Sequence, residues 1–172
     1  MEAETSRKEF AVVGQGSIWD GIAYWVTLIG IYLMVGGLML TSGKEKLFDS
    51  DGNAPQGIKE QFANTFIDTF PGTDAAWIFL GICEFLVGLI LIASLVKMEF
   101  LPHREKSLLQ VGLAVALFTF AIMAFGQTVT DQHEGVASLY TYFGSTVVIL
   151  ILVSLMPPNR PDNWLGGISR TE

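Results

Sequence analysis

AAWIFLGICEFLVGLILIASLV, residues 75–96, is 22 residues long, apolar almost throughout, and carries one charged side chain, Glu84. A helix of about 20 such residues, rising about 1.5 Å per residue, matches a bilayer hydrocarbon core of about 30 Å. The stretch therefore predicts a membrane crossing, with Glu84 roughly 14 Å along it by the same rise. A carboxylate at that depth costs a few kcal/mol or more unless it is protonated, paired or turned into a bundle. Glu84 needs a partner.

Outward from this stretch, three further charge-free runs are long enough to span: 21–43, 107–130 and 135–159. They predict an all-α membrane protein, a single membrane domain over 1–172 with spans at about 19–42, 75–96, 107–129 and 135–156. Pro157 and Pro158 stop the last span. Short connections predict an up-down four-helix bundle. Trp19, Trp25, Trp77 and Tyr140 fall near run ends, where aromatic rings favour the membrane interface. Residues 1–17 read as a surface tail, because the first apolar run is too long for a cleaved signal core.

The exception among the connections is the first, residues 43–74. Its early part has the Asp, Gly, Asn and Pro of turns. Its later part, GIKEQFANTFIDTF, places Ile58, Phe62, Phe66, Ile67 and Phe70 at helical spacing. This predicts a short amphipathic helix on the outer face of the membrane or folded over the bundle mouth. Lys and Arg divide seven against three in favour of the side bearing the termini (Arg7, Lys8, Arg160 and Arg170) and the 97–106 loop. That bias places both termini in the cytoplasm, the membrane being a bacterial or archaeal cytoplasmic one.

Composition excludes several classes. A net charge of −7 argues against nucleic-acid binding, which needs clustered cations. Cys83 is the only cysteine, so no intrachain disulfide, redox pair or cysteine-rich metal site forms. Both histidines, His103 and His133, lie outside the runs, which leaves no paired haem ligands within the helices.

Three groups of residues are candidates for chemistry. Gly81, Glu84 and Gly88 share one helix face, where small residues admit a neighbouring helix and an acid points into the bundle. Glu84 is then either a proton-handling or ligand-binding group, or a structural acid bonded to another helix. Lys44 and Lys46 close the first span: they either cap a helix whose dipole favours cations there, or pair with an acid or anionic ligand at the bundle mouth. Lys46 reaches Glu84 only if the acid lies shallower than its position suggests. Gln127, Asp131, His133 and Glu134 gather at the third span's end, either as a proton-moving group or as a solvated turn. Gly36, Gly37, Gly126 and Gly144 read as packing positions.

With these residues in view, the chain resembles the DoxX/DoxD-like family of four-helix membrane proteins over roughly residues 21–130. The first span ends in Gly36-Gly37, then Gly43-Lys44 and Lys46-Leu47, similar to that family's Gly-x-x-Lys-Leu-type ending with Glu45 inserted. The second carries Leu80-Gly81-x-x-Glu84-x-x-x-Gly88-x-x-Leu91, similar to its Gly-x-x-Glu-x-x-x-Gly pattern. The resemblance implies a membrane subunit or accessory protein of quinone-linked respiratory or sulfur-oxidising complexes, partnered by the bilayer and other membrane subunits; the lack of haem ligands, cysteine pairs and nucleotide motifs in the sequence fits a non-catalytic subunit. The only cofactor in prospect is a quinone or bound lipid; no metal is implied. The alternatives are a quinone-reactive subunit in which Glu84 handles protons, and a small proton-coupled transporter.

Overall fold

The structure, a computed structural model, describes residues 18–50 and 52–156, with side chains from residue 21 onward. The N-terminal tail, the side chain of Trp19, Pro157, Pro158 and the C-terminal tail lie outside the described residues, as do Arg7, Lys8, Arg160 and Arg170. Every described element is helical. Four helices are long and apolar enough to cross a membrane, so this is an integral membrane protein.

The first, α1, is a composite rod. It runs α-helical over Ile18–Ile31, π-helical over Tyr32–Gly37, α-helical over Leu38–Lys44 and π-helical again over Glu45–Asp49. It thus continues past the charge-free run, carrying Lys44 and Lys46 within the helix rather than beyond its end. Two short helices follow, α2 (Gln56–Phe62) and α3 (Phe66–Thr69). The remaining spanning helices are α4 (Thr73–Val96), α5 (Ser107–Val129) and α6 (His133–Leu155).

The amphipathic helix expected over the first loop is split in two. Asn64 adopts a left-handed conformation, φ 66°, which an Asn side chain tolerates better than most. Thr65 then closes the break, its Oγ1 and N–H both donating to the carbonyl of Phe62 (2.7 and 3.0 Å). The break divides the apolar residues. Phe62 and Ile67 line a chamber in the bundle end, while Phe66 and Phe70 are exposed.

Each spanning helix packs along its neighbour in sequence, α1 on α4, α4 on α5 and α5 on α6. The core follows helical spacing: Leu28, Ile31, Val35 and Met39 from α1 cluster with Val87 and Leu91 of α4 and with Leu109, Leu113, Ala116 and Phe120 of α5, and Leu139 and Val153 of α6 complete it. Between α1 and α4 the approach is nearly backbone to backbone. A Cβ placed on Gly81 would stand 2.9 Å from Lys46 Cβ, and one on Gly88 2.8 Å from Leu40 Cβ. These two residues keep the packing role expected of them. Gly37 and Gly144 do not share it, since a Cβ at either meets nothing within 4 Å.

Candidate functional site

Lys46 and Glu84 form a buried ion pair. Lys46 Nζ stands 2.8 Å from Glu84 Oε2 and 3.1 Å from Oε1, and it also donates to Ser42 Oγ at 2.6 Å. The two side chains are only 9% and 2% exposed. Three features of the sequence build this pair. The helix continues as a π-helical stretch over Glu45–Asp49, which keeps Lys46 within it; single-turn π stretches inside α-helices are frequent at functional sites. Ser42, one turn earlier, shares its face and accepts a hydrogen bond from its ammonium. Gly81, one turn before Glu84, clears space for the lysine stem.

Charges buried at this depth are tolerable only when paired and fully hydrogen-bonded. Here the ammonium has three oxygen contacts within 3.1 Å. The Trp77 ring adds a fourth favourable contact, its centroid 4.8 Å from Nζ. Trp77, which its position near a run end assigned to the membrane interface, thus has a contact with the interior of the protein.

Beside the pair lies a partly open chamber of about 350 Å³ between α4, α5 and α6, with Ile58 and Phe62 of α2 and Ile67 of α3 along one side as a roof. Its wall is apolar, with Phe62, Leu80 and Phe125 prominent, and its polar members are Lys46, Thr73, Trp77 and Gln127. The roof is tied down at both sides. Asp74, at the start of α4, accepts from the Ala54 N–H (2.8 Å) and pairs with Lys59 (2.9 Å). Gln61 donates to Gln127 Oε1 (3.2 Å) and Thr130 Oγ1 (2.8 Å), joining α2 to the end of α5. Phe66 and Phe125 meet at 6.3 Å between ring centroids, and Phe125 is at once a chamber wall and an exposed side chain.

The remaining candidates are dispersed. Lys44 points away from Lys46 and makes a solvent-exposed pair with Asp49 at 3.5 Å. Asp131, His133 and Glu134 are exposed on the turn and the first residues of α6, so of that group Gln127 alone joins the chamber. Among the described residues no group of His, Cys, Asp and Glu is arranged to hold a metal ion.

A second buried polar cluster, at the opposite end of the bundle, escaped the sequence reading. Glu99, 6% exposed, accepts from the backbone N–H groups of Leu108 and Leu109 (3.1 and 2.9 Å) and from Ser94 Oγ (2.9 Å). Ser94 in turn bonds Tyr32 of α1 at 2.8 Å. Lys106 is fully buried beside it, donating to the Arg104 carbonyl (3.1 Å) with its Nζ 5.6 Å from the Tyr24 ring. Burial draws the Lys106 ammonium below the usual lysine range, against the opposing pull of Glu99. The signal that could have exposed the cluster is a missing cap. α5 is preceded by Lys106, which has no side-chain acceptor, so its first N–H groups had to find an oxygen elsewhere.

Comparison with protein-family models, curated proteins and solved structures finds no match to this chain.

Proposed function

We propose that this protein is a membrane subunit of a quinone-linked redox complex, and that it holds a lipid-soluble ligand in the chamber beneath α2 and α3. The observation that carries the reading is the Lys46–Glu84 pair set against that chamber. Ligand sites are concave and mostly apolar with a few placed polar groups, and about 350 Å³ is at the lower end of their usual size. A quinone ring suits such a wall. Trp77 and Phe62 offer faces for stacking, and the Gln127 amide offers donors for a carbonyl oxygen, its own Oε1 being taken by Gln61. The redox context comes from the resemblance of the α1 ending and the α4 Gly-x-x-Glu-x-x-x-Gly motif to the DoxX/DoxD-like family. Contact with other subunits would use the lipid-facing helices and the exposed Phe66 and Phe70.

A second reading, in which Glu84 also handles protons for the bound quinone, draws on the Ser42–Lys46–Glu84 chain that reaches the chamber wall through Lys46. One experiment addresses both readings. The tagged protein is purified in gentle detergent, the co-purifying chains are identified, and lipids and quinones are extracted. Stoichiometric redox subunits together with a quinone are the expected result. A solitary protein from which neither quinone nor other apolar ligand can be extracted would overturn the proposal.

A further inference from the structure

Among the described residues lining the chamber, Lys46 is the one charged side chain. Its charge is cancelled by Glu84, which does not itself line the chamber but lies behind the wall, 2.8 Å from the ammonium. Ser42 takes a further contact, and the Trp77 ring covers another side of the ammonium. A ligand in the chamber therefore meets a cation already satisfied and a site with no net charge. The carboxylate of a fatty acid would have to share one ammonium with Glu84. Two like charges would then be held together away from water, an arrangement that raises the energy of both.

We propose that Glu84 is the residue that makes this chamber selective for neutral lipid-soluble ligands, by holding the Lys46 charge away from anionic head groups. The inference rests on the chamber reading above and adds to it the charge class of the ligand. It also predicts a switch. Removing the Glu84 charge while keeping Lys46 leaves a buried cation whose lowest-energy partner is an anion supplied by the ligand.

The test uses dodecanol and dodecanoate, which share one chain and differ in head-group charge. Binding of each labelled probe is measured at pH 8 to the full-length protein in nanodiscs of zwitterionic lipid, with empty nanodiscs subtracted. Wild type is expected to bind dodecanol and exclude dodecanoate. Glu84→Gln is expected to gain dodecanoate binding by about tenfold or more, the effect of one unit in log affinity. The double variant Lys46→Met/Glu84→Leu, neutral without a pair, should keep the wild-type preference. Dodecanoate bound by wild type as tightly as dodecanol overturns the proposal without any variant. So does a folded Glu84→Gln protein that binds dodecanol but gains nothing for dodecanoate. Binding of neither probe by any form overturns the chamber reading itself, an outcome distinct from loss of charge selectivity alone.

Discussion

Gly43 of α1 lies directly on the backbone of Phe85 in α4: a Cβ added to Gly43 would fall 2.8 Å from Phe85 Cα and 2.9 Å from its Cβ. Phe85 follows Glu84, and Lys46 is three residues beyond Gly43, so this contact sets the height at which the ion pair forms. The close approach needs a residue with no side chain. Gly43→Ala should destabilise the folded protein by about 1–3 kcal/mol, the usual range for overpacking. Gly37→Ala, on an open face, should change stability by no more than about 1 kcal/mol and in the favourable direction. Thermal unfolding of both variants in one detergent checks the pair. Equal effects would remove the Gly43 contact from the account.

The ion pair itself should behave asymmetrically. Lys46→Met leaves Glu84 buried without its cation and should cost about 3–5 kcal/mol, whereas Lys46→Met/Glu84→Leu should recover most of that loss. A double-mutant cycle on unfolding free energy measures it. Additive losses would mean that the two side chains are not coupled.

Glu99→Gln should weaken the start of α5, because one neutral oxygen replaces the carboxylate shared by Leu108, Leu109 and Ser94. A loss of about 1–3 kcal/mol is expected for buried donors left short of an acceptor. Faster hydrogen exchange at the Leu108 and Leu109 amides, with the centre of α5 unchanged, would localise the effect.

Lys106 supplies a pH dependence with a definite sign. Burial holds its pKa in the folded protein below the ordinary lysine value of 10.5, so the unfolded chain binds more protons between the two values. Stability should therefore rise with pH from the folded pKa up to about 10.5, and the burial cost is felt in full below the folded pKa. Lys106→Met should flatten that rise. Unfolding midpoints of both proteins across alkaline pH supply the comparison, and parallel curves would exclude Lys106 as the source.

Filling the chamber should separate ligand binding from folding. Ala76 lies in its wall on α4, and Ala76→Phe places a ring in the space beneath Phe62 and Trp77. Retained apolar ligand should fall about tenfold or more, equivalent to at least about 1.4 kcal/mol of binding free energy. Extraction and quantification of lipids from the purified variant provide the measurement. Undiminished ligand would place the binding site elsewhere.

Much of this architecture is written in local pattern. Runs of 20 or more apolar residues specify spanning helices whatever surrounds them, because a bilayer core leaves the backbone no other way to satisfy its polar groups. Gly81, Glu84 and Gly88 fall on one face by helical spacing alone, and the intramembrane acid demanded a partner on energetic grounds. The lysine closing the first run was visible too. Its pairing with Glu84 was legible only as an alternative that required a shallower acid, since a charge at the end of an apolar run normally marks where a helix leaves the membrane; instead α1 runs on to Asp49 and carries Lys46 to it.

The four helices, the buried acid and the amphipathic character of the roof were legible in the amino-acid sequence, since each follows from spacing and solvation within one segment. Three other features arise only in the packed fold: α1 continues through two π-helical stretches to carry Lys46 inward, Asn64 breaks the roof so that Phe62 faces in and Phe66 out, and Glu99 caps α5. In each case a side chain meets a group on a separate element, or a local conformation gains its advantage only in the packed bundle. The energy of such contacts depends on the separation of two chain segments, which no local period encodes. The low dielectric of the interior enforces this: a charge or N–H group buried there must be answered, and only the packed helices determine which oxygen lies within reach.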